Sequence, residues 1–355
     1  MVLITILAAI AVLSVLALLP GFTPRIRLVH AVSGQHSLAT LEKVAIGNSQ
    51  QWLLIRSENT RNPLLLFVHG GPGTSQLTLM RRHTRTLEKY FTIVNWDQRG
   101  AGKSYPAIRD KTRMNMEQFV ADIIELTQYL QDRFRQRKVT LVGHSWGSAI
   151  GVLAVQRRPD LFNAYIGIGQ ISNAAEGERI SYDWTLRQAK TAGDQGSVRK
   201  LTEIGPPPYA GNWRPKFLAE RRILGKYGGE YHGSKVGAFG TVIKHLLFST
   251  EYTFMDRINF FRGIFDSLAL LIPPLGKLDL FLQVPRLEVP VFFMLGKHDY
   301  EVPSVLSAKY FQALQAPLKS LFWFENSAHM PNTEERDKFN SILVETVLPM
   351  VKNDS

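Results

Sequence analysis

Short runs of consecutive apolar residues recur along this chain of 355 residues, separated by polar, glycine-rich or proline-rich stretches. Such runs are typical of strands buried on both faces of a sheet. Between Asn115 and Leu130 the apolar positions instead recur at helical spacing. Alternating strands and helices predict an α/β fold, a mostly parallel sheet with helices on both faces. The predicted strands are Gln51–Ile55, Pro63–Val68, Phe91–Asn95, Lys138–Val142, Ala164–Gly169, Val289–Leu295 and Leu321–Phe324.

One connection between predicted strands is too long to be a simple crossover. About 120 residues separate Ala164–Gly169 from Val289–Leu295, whereas most connections in compact domains are only a few residues long. This segment has helical patterns, with a break at Pro206–Pro208. We therefore predict a first core part over residues 38–171, a helical cap over 172–286, and a second core part over 287–355.

The amino terminus is apolar in a different way. Val2–Leu19 is a run of 18 residues without a charge, long enough as a helix to span about 27 Å, close to the hydrocarbon core of a bilayer. We predict a transmembrane anchor over residues 1–22, with a cleaved signal peptide or a buried helix as alternatives. Arg25 and Arg27 follow the run and favour a catalytic domain on the cytoplasmic side, the alternative being export after cleavage.

The net charge of +12 and the absence of cysteine narrow the range of partners. Without cysteine, disulfides and thiolate metal sites are excluded. We expect no metal and no cofactor. The basic residues are scattered and interleaved with apolar positions, which favours a solvated surface, with attraction to anionic lipid as the alternative. No nucleic-acid recognition motif is present, so we expect no nucleic-acid partner. The oligomeric state stays open.

The segment Gly143–Ser148 carries the most specific chemical signal. It contains the pattern G-x-S-x-G between a predicted strand and a helix-compatible run. A serine on such a turn stands clear of the sheet at a helix N-terminus, where developing negative charge is favoured. We predict that Ser145 is the nucleophile. The glycine-rich loop at His69–Gly73 follows another strand, so the backbone N–H groups of Gly71 and Trp146 are the predicted oxyanion hole.

A serine nucleophile needs a base, and the base needs an orienting carboxylate. Asp299 and His329 each follow a predicted strand, at the edge where open α/β sheets place their sites. The order Ser145, Asp299, His329 is the order of this architecture. Glu325 is a weaker candidate for the acid because it lies too near His329 in the sequence.

Together these residues resemble the α/β-hydrolase superfamily and, within it, the proline iminopeptidase family of serine peptidases. The motif Asn95–Ser104 adds to the resemblance, which covers residues 40–171 and 287–350. It implies a hydrolase that releases an N-terminal residue, preferably proline, from small peptides through an acyl-enzyme on Ser145. It also implies structural roles for Asp97 and Arg99.

In this family, glutamates of the cap bind the free α-amine of the substrate. The usual tryptophan and glutamate pattern is not found in this cap, and Glu176 and Glu178 are the candidates because the cap begins there. Two alternatives stay open: a carboxylesterase or lipase-like hydrolase of apolar acyl substrates, and a non-catalytic membrane-tethered binding module.

A second apolar run, Phe260–Ile272, lies late in the predicted cap and is followed by Pro273 and Pro274. It is too short to span a bilayer and too apolar for an ordinary surface helix. Either it is a core helix of the cap, or one side lines a pocket above Ser145 while the other meets a membrane.

Overall fold

The computed structural model describes residues Thr5, 20–26, 36–233 and 237–352. Of the predicted anchor, residues 1–22, only Thr5 and residues 20–22 are described, so the membrane helix stays a prediction.

One sheet of eight strands organises the described chain, in the order β1-β2-β4-β3-β5-β6-β7-β8. The pairs β1/β2 and β2/β4 are antiparallel and all others are parallel. The predicted mostly parallel sheet is therefore confirmed, although the sequence pattern did not reveal β1. The strands are β1 (Leu38–Ile46), β2 (Ser49–Ser57), β3 (Leu64–Val68), β4 (Thr92–Asp97), β5 (Val139–His144), β6 (Phe162–Ile168), β7 (Val291–Gly296) and β8 (Lys319–Phe324).

Helices follow the strands and also fill the long insertion. They are α1 (Leu77–His83), α2 (Met116–Phe134), α3 (Trp146–Arg157), α4 (Ala174–Thr191), α5 (Gln195–Ile204), α6 (Trp213–Lys226), α7 (Gly237–Leu247), α8 (Phe254–Leu275), α9 (Leu280–Gln283), α10 (Ser304–Ala313), α11 (Pro331–Glu334), α12 (Arg336–Ile342) and α13 (Leu348–Val351). Shorter 3₁₀ segments occupy Arg85–Lys89, Gly102–Arg109, Lys111–Arg113 and Pro159–Leu161, and a π-helical turn occupies Leu343–Val347.

The sheet is covered on both faces, as a parallel sheet requires. On one face, Ile123 of α2, Ile150 of α3 and Tyr310 of α10 belong to one buried apolar cluster. On the other, Met80 of α1 and Phe339 of α12 belong to a second cluster. Burial on both faces explains why the central strands read as unbroken apolar runs.

Helices α4–α9 lie between β6 and β7, within the segment predicted as the cap. The predicted apolar run forms part of α8, a helix of 22 residues rather than a short segment. By length and composition, α8 is the one helix in the described part of the chain that could cross a membrane. That is weak support for a span, because the core helix of a soluble protein passes the same test.

Candidate active site

Ser145 lies on a sharp turn between β5 and α3. Its backbone has φ 52° and ψ −121°, a left-handed conformation that is unfavourable for any residue with a Cβ. The turn presses α3 onto the neighbouring strand end, since a Cβ added at Gly147 would lie 2.1 Å from the carbonyl oxygen of Val68. The glycine of the motif is thus required by close backbone approach. Ser145 precedes the first residue of α3, whose N-terminal amides favour negative charge.

His329 and Asp299 form the second part of the site. Asp299 follows β7 and His329 follows β8, and His329 Nδ1 lies 2.9 Å from Asp299 Oδ2. Both side chains are buried. Burial lowers the pKa of His329, but the carboxylates of Asp299, Glu301 and Glu230 outweigh it and raise that pKa to about 9. Burial raises the pKa of Asp299, while its bonds with His329 and the Val302 N–H oppose the rise.

A cavity of about 480 Å³ connects these groups, and both Ser145 and His329 line it. Gly71 lines it as well, with φ 120°, a conformation that favours glycine. Among the described residues, the N–H groups of Gly71 and Trp146 donate no hydrogen bond. Two unengaged amides beside a serine can stabilise an oxyanion that forms there.

The loop that carries Gly71 is tied to α3 through Gln98, which the sequence analysis did not single out. Gln98 Nε2 donates to the His69 carbonyl at 2.7 Å, and Gln98 Oε1 accepts from Trp146 Nε1 at 3.0 Å. The Gln98 N–H donates to His69 Nε2 at 3.2 Å. Burial lowers the pKa of His69 to about 4, so its ring stays neutral and can accept this bond. Gln98 therefore joins the loop that carries Gly71 to Trp146, the first residue of α3.

The loop around His329 is held by two further side chains. His144 Nε2 lies 2.9 Å from the His329 carbonyl, and His144 Nδ1 lies 3.1 Å from Gln76 Nε2. Because burial lowers the pKa of His144 to about 3, its ring is neutral, and it accepts from Gln76 and donates to His329. The Glu334 carboxylate accepts N–H bonds from Ala328 and Met330, on either side of the histidine. These contacts hold the imidazole in place by bonding to backbone groups of His329 and its two neighbours.

Residues 63–335, more than half of the chain, match the family described as the alpha/beta hydrolase fold. The chain belongs to the α/β-hydrolase fold family. The predicted fold and the prediction that the protein is a hydrolase are both confirmed, so the alternative of a non-catalytic binding module is not retained.

This hydrolase has relatives that cover most of its length. It is 38% identical over 311 residues to a Bacillus subtilis (strain 168) protein named "Probable aminopeptidase YbaC", covering 86% of this chain and 96% of the relative. It is 23% identical over 295 residues to the proline iminopeptidase of Heyndrickxia coagulans, covering 81% and 91%. These relatives confirm the resemblance to proline iminopeptidases.

Solved structures show the same fold. The proline iminopeptidase of Mycobacterium smegmatis superposes with a TM-score of 0.63 at 14% identity, covering 89% of the hydrolase and all of that chain. A proline iminopeptidase-related protein of Thermus thermophilus superposes with a TM-score of 0.62, also at 14% identity, covering 88% and 99%. At this identity the likeness concerns the fold alone.

The two predicted amine anchors of the hydrolase, Glu176 and Glu178, are not among the residues that line the Ser145 cavity. Glu176 lies in the first turn of α4, its side chain is 41% exposed, and it pairs with Arg179 at 2.6 Å. Glu178 is paired with Arg221 and lines a neighbouring cavity instead. Burial raises the pKa of Glu178 to about 7. Their position in the sequence, at the start of the cap, did not predict where their side chains lie.

Two carboxyl groups that the sequence motifs did not predict line the Ser145 cavity. They are those of Glu230 and Glu301, and Glu301 Oε2 lies 4.0 Å from His329 Nε2. Burial and the nearby Glu301 raise the pKa of Glu230 to about 8. Arg221 also lines this cavity but is paired with Glu178 and Glu220. The cavity wall thus carries two carboxyl groups, those of Glu230 and Glu301, and two guanidinium groups, those of Arg221 and Arg222.

The remaining candidates lie away from the reacting groups. Glu325 is 56% exposed and pairs with Lys297 at 2.6 Å, whereas Asp299 is the carboxylate bonded to His329. Asp97 accepts bonds from Tyr252 of the cap and from the Lys103 N–H, and Arg99 pairs with the buried Asp122 at 3.0 Å. Neither Asp97 nor Arg99 is among the residues that line the Ser145 cavity.

Proposed function

We propose that this hydrolase is a serine aminopeptidase that releases the N-terminal residue, preferably proline, from short peptides. The observation that carries the proposal is the pair Glu230 and Glu301 beside His329 in the Ser145 cavity. In a substrate cut after its first residue, the α-nitrogen lies only about 2.5 Å from the attacked carbonyl carbon. The group that binds the ammonium must therefore lie within a few ångströms of the reacting atoms. Glu301 meets this requirement, and Glu176 does not.

The proposed mechanism begins with attack on the scissile carbonyl. Ser145 Oγ forms the new C–O bond while His329 Nε2 takes the hydroxyl proton and Asp299 stabilises the imidazolium. The carbonyl oxygen becomes an oxyanion between the Gly71 and Trp146 N–H groups. His329 then gives its proton to the leaving amine as the C–N bond breaks. Water, deprotonated by His329, attacks the acyl-enzyme and releases the free N-terminal residue from Ser145.

Glu230 and Glu301 contribute to specificity in this proposal. Burial and the neighbouring Glu301 raise the pKa of Glu230. A substrate ammonium compensates the repulsion between the two carboxylates and so favours ionisation of Glu230. A blocked, neutral N-terminus offers no such compensation. The cavity should therefore discriminate between free and acylated N-termini. The preference for proline rests on the relatives named proline iminopeptidase.

The second candidate is an esterase that acts on apolar acyl groups. It is favoured by the apolar side chains that the cap contributes to the lining of the cavity, among them Phe261, Ile264 and Leu268. The same triad would cleave an ester, with an alcohol in place of the amine as leaving group.

A panel of four substrates separates the candidates: prolyl-arylamide, alanyl-arylamide, N-acetylprolyl-arylamide and p-nitrophenyl butyrate. We expect kcat/KM to be highest for prolyl-arylamide and to fall on the order of 10²-fold or more when its amine is acetylated. If acetylation leaves the rate unchanged and the butyrate ester is the best substrate, the aminopeptidase proposal is wrong.

We also propose that Val2–Leu19 anchors the hydrolase to a membrane with its catalytic part on the cytoplasmic side. The run of 18 uncharged residues followed by Arg25 and Arg27 supports this proposal. Mass measurement of the mature protein and protease protection in sealed vesicles test it. An intact N-terminus and a catalytic part accessible only from the cytoplasmic side are expected, whereas loss of the first residues on export would overturn it.

A further inference from the structure

Helix α8 has two different long faces. The residues Phe260, Gly263, Ser267 and Leu271 are buried, and Gly263 packs so closely that an added Cβ would lie 2.5 Å from the Gly100 carbonyl oxygen. The opposite stripe is apolar but exposed, and its members follow one another at spacings of four, three and four residues, which places them on one side of the helix. They are Phe254, Ile258, Phe261 and Phe265.

This stripe continues onto neighbouring segments. Arg257 donates to the carbonyls of Leu246 and Ser249, which brings the end of α7 alongside α8. The large apolar side chains here are each at least 37% exposed, and they account for nine of the fifteen such side chains in the described chain. We name them the apolar face: Phe22, Phe239, Leu247, Phe248, Phe254, Met255, Ile258, Phe261 and Phe265. A group of large exposed apolar side chains on adjoining segments is typical of an interaction site.

Part of the apolar face borders the active-site cavity. Phe239, Phe261 and Phe265 are all more than a third exposed, yet the same three side chains line the cavity that contains Ser145 and His329. A molecule that covers the apolar face therefore also covers an entrance to the reacting groups.

Charges around the apolar face have mostly one sign. Arg82, Lys244 and Arg262 are exposed beside it, and Arg82 donates to the carbonyl of Phe248 at 2.9 Å. Of the nearby acids, Asp256 is paired with Lys103 and Asp266 accepts from Tyr105. An apolar surface with a basic rim is complementary to an anionic lipid surface, where the acyl chains lie beneath phosphate groups.

The N-terminal segment indicates which partner covers the apolar face. The backbone N–H of Phe22 donates to the Thr250 carbonyl at 2.8 Å, so the N-terminal segment meets the apolar face at this residue. Only Pro20 and Gly21 separate Phe22 from the uncharged run Val2–Leu19, a reach of about 10 Å. A bilayer that accommodates this run is thereby brought against the apolar face.

We propose that the apolar face docks onto an anionic phospholipid bilayer, so that the active-site cavity opens toward the lipid and receives substrates that partition into it. Docking to the bilayer does not depend on the proposed peptidase activity. Entry of the substrate from the lipid rests on that proposed function. Helix α8 lies on the membrane surface in this arrangement and does not cross it, because its other face is packed against the core.

The absence of cysteine makes a direct test possible, since one introduced cysteine carries the only label. Ile258→Cys lies on the apolar face, and Leu282→Cys is the matched control, an apolar residue that is 79% exposed elsewhere. Each full-length variant carries an environment-sensitive fluorophore and is mixed with phosphatidylcholine vesicles with or without phosphatidylglycerol. We expect brominated acyl chains to quench the label at position 258, more strongly with phosphatidylglycerol, and not the label at 282.

Equal quenching at both positions, or none at position 258, would overturn the proposal. So would burial of the 258 label in the absence of vesicles, because the face would then be covered by a second copy or by residues 2–19; sedimentation distinguishes these two cases.

A second measurement addresses substrate entry. Phe248→Asp and Ile258→Asp should lower the rate on a vesicle-dissolved aminoacyl substrate while leaving soluble prolyl-arylamide unchanged, and Leu282→Asp should change neither rate. Equal rates of the variants and the parent on the vesicle-dissolved substrate would refute entry from lipid. Failure to hydrolyse any arylamide would instead refute the proposed function and leave the labelling result intact.

Discussion

The strand-end edge of the core and the cap form two sides of one cavity, and they are built in different ways. At the core edge, Ser145 directly follows β5, and Asp299 and His329 lie in the loops that follow β7 and β8. Hydrogen bonds to backbone hold the loop around His329. On the cap side, Glu230 and Arg221 belong to a cluster of charges whose members come from different helices and loops. The core edge fixes the positions of the reacting atoms, while Glu230 and Arg221 of the cap contribute charge to the cavity wall.

This difference indicates how the two sides can vary independently. Catalytic groups such as those at the core edge must be held within about 0.5 Å of the productive geometry, so few substitutions are tolerated there. The charge cluster of the cap changes which substrate binds without moving the nucleophile. Substitutions at the core edge should therefore lower kcat for every substrate, and those in the charge cluster should act on particular substrates.

The largest expected effect is at the nucleophile. Ser145→Ala and His329→Ala should each lower kcat on the order of 10⁴–10⁶-fold on amides and esters alike. His298→Ala is the matched control, because His298 neighbours Asp299 in sequence but stacks on His232 instead, at 3.8 Å between ring centroids. It should retain activity within a few-fold of the parent. Fluorophosphonate labelling with intact-mass detection checks the assignment, and labelling of Ser145→Ala would contradict it.

The core edge could be predicted from the sequence because its residues follow local motifs. Tight turns demand glycine at fixed offsets, as at Gly147, and the acid and histidine follow buried strands that are recognisable from their apolar runs. The edge hairpin was less visible, because β1 is partly exposed and contains charged residues such as Glu42 and Lys43.

The charge cluster could not be predicted, because its members are neighbours only after the cap has docked. The carbonyl of Gly229 accepts the N–H groups of Tyr300 and Glu301 at 3.0 and 3.2 Å, and Trp184 stacks on Tyr300 at 4.2 Å. These contacts join residues that are about 70 or more positions apart in the chain, where no local pattern relates them. Glu176 was predicted from sequence position alone, but in a helix its nearest opposite charge is Arg179, one turn away.

A smaller loss is expected at the oxyanion loop. Gly71→Ala places a Cβ 2.6 Å from the Thr74 nitrogen and strains a backbone with φ 120°, which should displace one amide and lower kcat roughly 10²–10³-fold. Gly205→Ala is the control, since Gly205 also has a positive φ but has no atom within 4 Å of the added Cβ. Both variants carry backbone strain, so only Gly71→Ala should lose kcat. Similar kcat values for the two would show that Gly71 has no role beyond folding.

Removal of a cap carboxylate should be selective. Glu230→Gln should raise KM for prolyl-arylamide on the order of 10²-fold, because a desolvated charge pair with the ammonium is lost, and should spare a neutral ester. Glu176→Gln, an exposed partner of Arg179, should leave both substrates unchanged. Steady-state kinetics with the two substrates decides the matter. An equal change for amide and ester would assign Glu230 to the structure of the cavity instead of amine recognition.

The smallest expected effect is a shift along the pH axis, and it measures how far Glu301, which follows Asp299 in the same loop, sets the pKa of His329. The base must be neutral to react, and the carboxylates around His329 hold its pKa at about 9, so the reaction with a neutral fluorophosphonate should rise with pH up to that value. Glu301→Gln removes one negative charge 4.0 Å from Nε2. The imidazolium then becomes less stable, its pKa falls, and the acidic limb should move to lower pH by roughly one unit, equivalent to about 1.4 kcal/mol. At neutral pH the variant should thus label faster than the parent, by up to about tenfold.

Glu325→Gln, which removes an exposed charge paired with Lys297, is the control and should not move the acidic limb. Coinciding limbs for Glu301→Gln and the parent would mean that Glu301 does not contribute to the pKa of the imidazole.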